Sequence, residues 1–241
     1  MIRQQYERVL EQIAGAAIKA GRAPEEVKLM AVSKTIEIAR IQEAILAGAT
    51  LLGENRVQEL SEKRPQLPPR KICDFAGTPV KNCEVHLIGH LQGNKASRAV
   101  EHADMIQSVD SIRIAGEISK ACVKQGKEMP ILIEVNIGRD PAKFGFMPEQ
   151  VDEALGEIAA LPGVNVRGLM TIPPFLDDKI KIREYFSQMR QLFIDIRGKK
   201  MDNITMEILS MGMSDDFDLA VAEGSTLVRV GTAIFSSRNY R

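Results

Sequence analysis

The chain has 241 residues, 44% hydrophobic and 27% charged, with no tryptophan and with 32 lysines plus arginines against 32 aspartates plus glutamates. That length is ordinary for a single α/β barrel and sufficient for a substantial core. The balanced charge offers no basic excess for nucleic acid or a membrane surface, and no apolar run approaches the ~18 residues that span a bilayer.

The N-terminus, Met1-Ile-Arg-Gln-Gln-Tyr-Glu-Arg8, carries charges where a signal peptide would be apolar, so a cytoplasmic location is expected. Ile2, Tyr6, Val9, Leu10, Ile13 and Ala17 recur at helical spacing and predict an amphipathic helix ended by Gly21 and Pro24. Thereafter strand and helix alternate. Strands are predicted over 29–33, 50–53, 85–88, 105–109, 130–135, 164–170, 205–210 and 227–230. Helices are predicted over 38–47, 55–63, 92–100, 112–126, 148–161, 178–196 and 215–222, with a last short one from Thr232. Most of the strands are short apolar runs, as expected when both faces are covered.

Eight βα units after one extra helix predict a single (β/α)8 TIM-type barrel domain over residues 1–241. The rival, an open doubly wound sheet, wants a glycine-rich first turn, and Ser33-Lys34-Thr35 has no glycine. Residues 64–84 contain Pro65, Pro68, Pro69, Gly77 and Pro79 without periodicity, and read as a long exposed loop. Cys73, Cys83 and Cys122 form no CxxC pair or metal spacing and are expected to be free thiols, although Cys73 and Cys83 share that segment.

Barrels of this type keep their chemistry at the C-terminal ends of the strands. Lys34 closes the apolar run Leu29-Met-Ala-Val-Ser33. Alternation puts it on one face with Met30 and Val32; if that face looks inward, the amine points into the mouth. There, in partly apolar surroundings, a lysine is a usable nucleophile.

Ser210-Met-Gly-Met-Ser214 leaves the seventh strand, and Gly231-Thr232 opens the last helix. Free N–H groups at helix starts suit a phosphate. Ser214 is also explained as a plain N-cap, with Asp215 and Asp216 complementing the helix dipole. Arg229 either faces a ligand at the mouth or pairs with a carboxylate.

An amine, an anion nest and an arginine together suit a phosphorylated aldehyde held as a Schiff base; pyridoxal 5′-phosphate (PLP) fits all three. His86 and His90 lie on a strand and its loop, not on one helix face, so no metal site is expected. Lys143-Phe-Gly145 reads as a surface loop with a tight turn.

Ala31-Val-Ser-Lys-Thr35, Leu52-Gly-Glu-Asn55-Arg-Val-Gln-Glu59, His86-Leu-Ile-Gly-His-Leu-Gln-Gly-Asn-Lys95, Lys143-Phe-Gly145, Gly168-Leu-Met-Thr171, Leu209-Ser-Met-Gly-Met-Ser214 and Val228-Arg-Val-Gly231-Thr-Ala-Ile-Phe235 are collinear over nearly the whole chain. In these the sequence resembles the pyridoxal phosphate homeostasis protein family, whose fold is similar to the barrel domain of bacterial alanine racemase. The resemblance implies that Lys34 holds PLP as an internal aldimine. It further implies that Ser210, Gly231 and Thr232 bind the phosphate, that Arg229 lies beside the pyridine nitrogen and that Asn55 lies near the cofactor. Departures from the family pattern are the longer 64–84 segment, Val85 in place of an aromatic residue, and Ser236-Ser237 in place of a glycine.

Alanine-type racemases add a β-rich domain whose tyrosine is the second acid/base, whereas this sequence ends after the eighth unit. Its tyrosines are Tyr6, Tyr185 and Tyr240, none at a strand end. An arginine beside the ring nitrogen also makes a weaker electron sink than an aspartate. The expectation is therefore a PLP carrier or regulator of PLP homeostasis without robust turnover. PLP-dependent apo-enzymes are its expected recipients, a monomer its expected state, and no residue is assigned a catalytic role. The alternatives are a small PLP-dependent amino-acid racemase and a barrel that binds a phosphorylated metabolite without a covalent link.

Overall fold

The computed structural model describes residues 1–67 and 83–235, together with the backbone of 72–73 and 79–80. Ten strands are described: β1 (Lys28–Val32), β2 (Leu51–Glu54), β3 (Ile72–Cys73), β4 (Pro79–Val80), β5 (Glu84–Leu87), β6 (Met105–Val109), β7 (Met129–Glu134), β8 (Val164–Met170), β9 (Ile204–Ser210) and β10 (Leu227–Val230). Eight of them close into a parallel barrel in the order β1-β10-β9-β8-β7-β6-β5-β2. Closure is made by β1, which pairs with β10 through Met30 and Arg229 and with β2 through Ala31 and Leu52.

Helices α1 (Ile2–Lys19), α2 (Ile38–Leu46), α3 (Val57–Lys63), α4 (Ala96–His102), α5 (Ile112–Gln125), α6 (Val151–Ala159), α7 (Lys179–Gly198), α8 (Phe217–Ala222) and α9 (Thr232–Phe235) surround the strands. The barrel reading holds. All eight predicted strands lie within one residue of their expected limits. Two helices begin later than expected because a 3₁₀ turn precedes them, at Gly93–Lys95 before α4 and Pro148–Gln150 before α6.

Period-two alternation divides the barrel walls into an outer and an inner face. Leu29, Ala31, Leu52, Val85, Leu87, Val228 and Val230 face outward into the core shared with the helices. Met30, Val32, Leu51, Ile88 and Leu227 pack inside the barrel, and Met105, Leu132 and Met170 form a second inner cluster. On α1, Ile2, Tyr6, Val9, Ile13 and Ala17 are buried, while Leu10 is exposed at the edge of that stripe.

Gly168 permits β8 and β9 to approach. Its φ is +149°, and a Cβ there would lie 1.9 Å from the Ile208 carbonyl oxygen. The β8–β9 register shifts next to it.

Within 64–84, Arg64–Gln66 continues α3 as a 3₁₀ turn, β3 and β4 pair antiparallel, and Leu67 and Cys83 are buried. The uniform exposed loop expected there is corrected to that extent. The remainder of that segment, the Cys73 side chain, Ser236-Ser237 and Tyr240 fall outside the described residues. Cys83 and Cys122 are free and buried.

Candidate functional site

Lys34 is not the last strand residue. β1 ends at Val32, and Ser33-Lys34-Thr35 is a turn in which Thr35 takes the left-handed conformation, φ 59°. That is an uncommon conformation for a β-branched residue, and neighbouring side chains hold it. Thr35 N donates to Glu59 Oε2 at 2.8 Å. Ser33 Oγ donates to Glu54 Oε1 at 2.6 Å. Lys63 Nζ donates to the Ser33 carbonyl at 2.8 Å, to Glu54 Oε1 at 2.9 Å and to Glu59 Oε2 at 3.0 Å.

Glu54 is buried, and its second oxygen has no hydrogen-bond partner. Burial raises its pKa, against the Ser33 and Lys63 hydrogen bonds that stabilise the anion. Burial also pushes Glu59 upward, but the Thr35 N–H and Lys63 outweigh it and the net shift is down. These contacts fix the backbone on both sides of Lys34 and leave its side chain exposed at the mouth.

The mouth is a cleft of about 630 Å³ bordered by Lys34, Asn55, His90, Glu134, Lys143, Phe144, Ser214, Arg229, Gly231 and Thr232, among others. Of the residues singled out from sequence, Lys34, Asn55, Arg229, Gly231 and Thr232 come together here. Gly231 lies against β1, where a Cβ would stand 3.2 Å from the Val32 carbonyl oxygen. Thr232 begins α9, and first-turn N–H groups of a helix lack intrahelical partners.

Ser210 does not border the cleft. It is fully buried beneath Arg229, whose Nη1 donates to Ser210 Oγ at 2.6 Å and whose Nη2 donates to the Thr171 carbonyl at 2.8 Å. A direct phosphate contact by the Ser210 side chain is corrected accordingly: its hydroxyl is committed inside the barrel. Burial lowers the Arg229 pKa to about 10, against the Glu134 and Asp216 carboxylates, which raise it. The guanidinium therefore stays charged at neutral pH.

The N-cap of α8 is Asp216, not Ser214. Asp216 Oδ1 accepts from Met213 N at 2.6 Å, and Ser214 stands free of the cap at the cleft wall. Burial raises the Asp216 pKa, against the Met213 N–H and Arg229.

The segment around Lys143 is a wall of the cleft, not a remote surface loop. Lys143 Nζ donates to the Ile172 and Pro173 carbonyls at 3.3 and 2.8 Å. Phe144 stacks on His90, with centroids 3.6 Å apart and planes 11° from parallel. His90 Nδ1 lies 2.8 Å from Asp110 Oδ2, whereas His86 is buried inside the barrel against Gln107. The two histidines thus serve different partners. Among the described residues, no group of three His, Cys, Asp or Glu side chains is placed to hold a metal ion.

Glu134 is a site residue that sequence reasoning passed over. Burial pushes its pKa up to about 7, and Asp110 adds to the rise while Arg229 and Lys143 oppose it. The available signal was a carboxylate closing the apolar run Pro130-Ile-Leu-Ile133.

A closed parallel barrel whose mouth gathers one exposed amine, one buried guanidinium and a helix start defines the barrel class typified by alanine racemase. The family described as "Alanine racemase, N-terminal domain" matches residues 16–239. Within that class the chain belongs to the pyridoxal phosphate homeostasis protein family. It is 39% identical to the pyridoxal phosphate homeostasis protein of Aquifex aeolicus over 98% of both chains. With that of Escherichia coli K12 it shares 38% identity, covering 96% of this chain and 94% of the relative.

PipY of Synechococcus elongatus PCC7942, solved with PLP bound, superposes with a TM-score of 0.77 at 35% identity, covering 95% of this chain and all 100% of that one. Alanine racemase of Clostridium difficile 630 shares the fold at 15% identity, TM-score 0.67, with 98% of this chain matching 57% of that one. Among the described residues, no helix is long and apolar enough to cross a membrane.

Proposed function

We propose that this protein binds pyridoxal 5′-phosphate and serves its homeostasis, with Lys34 as the covalent attachment point. The observation that carries this is the meeting of Lys34, Arg229, Gly231 and Thr232 around one cleft. The donor set fits the cofactor. When bound, PLP supplies an aldehyde that condenses with a primary amine, a phosphate dianion and an aromatic ring nitrogen.

Lys34 is the amine, presented from a turn whose backbone is clamped on both sides. Gly231 and Thr232, at the start of α9, would bind the phosphate through their free N–H groups, the missing Cβ of Gly231 letting that turn pack against Val32 of β1. Asn55 lines the cleft after β2 and would help to orient the ring. Arg229, a donor-only cation bordering the cleft, would face the ring nitrogen and hold it as an acceptor, with Ser210 contributing through Arg229. The names of the relatives and the PLP-bound PipY support this reading.

Storage and hand-over of PLP to apo-enzymes, as a cytoplasmic monomer, is the role proposed, without robust turnover. Two-base racemisation needs a proton-transfer group opposite the lysine. Tyr6, on α1, points its hydroxyl at the Gly48 carbonyl, 3.4 Å away, and Tyr185 lies on α7; neither borders the cleft.

Borohydride reduction of the PLP-loaded protein, followed by peptide mapping, should place the label on Lys34; a label elsewhere, or none, overturns the assignment. The second reading, a small racemase, rests on Glu134, a carboxyl bordering the cleft whose pKa burial pushes up to about 7. Rapid α-deuteration with inversion of a single-enantiomer amino acid in deuterated water would establish it and displace the carrier role.

A further inference from the structure

We propose that Ser210, Gln107 and His86 are positioning residues: a one-directional hydrogen-bond line through the barrel interior that holds Arg229 and locks His86 as its neutral Nε2–H tautomer. The polarity is set from both ends: a guanidinium can only donate, and the Glu84 carboxylate beyond His86 can only accept. Arg229 Nη1 donates to Ser210 Oγ at 2.6 Å, and the hydroxyl passes its own proton to Gln107 Oε1 at 2.8 Å. That fixes the amide, so Gln107 Nε2 must face His86 Nδ1, 2.9 Å away, as a donor. His86 Nδ1 is then an acceptor, and the ring proton sits on Nε2, 3.3 Å from Glu84 Oε2.

No link can be reversed alone. Flipping Gln107 would aim two donors at Ser210 Oγ and leave the hydroxyl proton without an acceptor. It would also need the ring proton on His86 Nδ1, turning a bare Nε2 toward the Glu84 carboxylate, which can only accept. Gln107 and Ser210 are fully buried, and His86 and Arg229 nearly so, which leaves no solvent to take over a lost bond.

The line spans the barrel axis. Glu84 borders the opening at the N-terminal ends of the strands, and Arg229 borders the cleft at their C-terminal ends. The side chains come from β5, β6, β9 and β10, all pointing inward. They run as a polar line through an interior that also holds Met30, Leu51, Met105, Leu132, Met170 and Leu227. An all-apolar filling would leave Arg229 buried with the Thr171 carbonyl as its remaining hydrogen-bond partner.

The tautomer is read without cofactor, so it is independent of the PLP assignment; only the binding readout rests on that assignment. Long-range ¹H–¹⁵N spectra of the histidine-labelled, cofactor-free protein should show His86 with a protonated Nε2 and a bare Nδ1. The chain has three histidines, and the His90→Gln and His102→Gln spectra assign the third. Ser210→Ala should replace that single pattern by a tautomer mixture at His86, and Ser210→Thr should restore it.

With PLP, Ser210→Ala should weaken binding roughly tenfold, as expected for one lost hydrogen bond to a charged group, while the borohydride label stays on Lys34. An Nδ1–H tautomer in the unmutated chain overturns the proposal, and this needs no variant to fold. So does a His86 signal unmoved in a folded Ser210→Ala protein. Failure of the unmutated protein to bind PLP would instead sink the proposed function and leave the tautomer result standing.

Discussion

The Lys63 ammonium lies 2.9 Å from Oε1 of Glu54, directly behind the turn that carries Lys34. Glu54 is 1% exposed and Lys63 12%, so the pair is largely removed from water. The same ammonium holds the Ser33 carbonyl and the Glu59 carboxylate, and Glu59 in turn holds Thr35 N. One largely covered cation on α3 therefore ties together β2, α3 and both neighbours of the exposed lysine.

Lys63→Met leaves the Glu54 carboxyl buried without its countercharge. Breaking such a pair costs about 3 kcal/mol or more, and urea unfolding should show a loss of that order. Adding Glu54→Gln to Lys63→Met should recover part of it. A Lys63→Met protein as stable as the parent would show that the pair is not coupled to the fold.

Lys34→Ala should leave the urea midpoint nearly unchanged, within about 0.5 kcal/mol, because the side chain is exposed and holds no other element. It should abolish the borohydride-stable label on the protein. The contrast with Lys63→Met separates the amine that binds from the amine that supports.

Glu134 makes stability depend on pH in a defined direction. Its pKa is raised from an ordinary 4.5 to about 7 in the folded chain. Between those values the folded state holds the proton more tightly than the unfolded state, so the contribution is full below the unfolded pKa and is lost as pH rises through about 7. Thermal melts should show this decline in the parent, and Glu134→Gln should flatten it over the same window.

Gly168→Ala should cost at least about 3 kcal/mol, since a left-sided φ and a backbone clash act together. The added Cβ would meet the Ile208 carbonyl oxygen, a backbone atom that moves only with β9. Gly156→Ala, whose Cβ would meet nothing within 4 Å on α6, is the control and should be neutral or slightly stabilising.

The barrel was legible because its evidence is local. Runs such as Met105-Ile-Gln-Ser-Val109 and Leu227-Val-Arg-Val230 are short and largely apolar, and they are separated by helical spacing. The site was legible where a polar residue ends such a run, as with Lys34, Asn55 and Gly231-Thr232. It was not legible for Lys143 and Phe144, which follow a strand end by several residues and come back over the mouth only because the loop folds onto His90 and the Ile172 and Pro173 carbonyls. Leu10 misled for a related reason: it fits the helical stripe of α1, but the helix buries a narrower face.

What the sequence alone determined is the order and kind of elements, the eight-unit barrel and the family, since periodicity and collinear motifs are properties of the chain itself. What only the tertiary structure decided is which polar groups meet. Ser210 and Arg229 are 19 residues apart, Ser210 and Gln107 are 103 apart, and their bonds exist because barrel closure turns inward positions on separate strands toward one axis. The same closure sends one serine inward to serve Arg229 and leaves Lys34, in a turn beyond its strand, open to the cleft. Hydrogen bonding and burial depend on distances through space that separation along the chain does not encode.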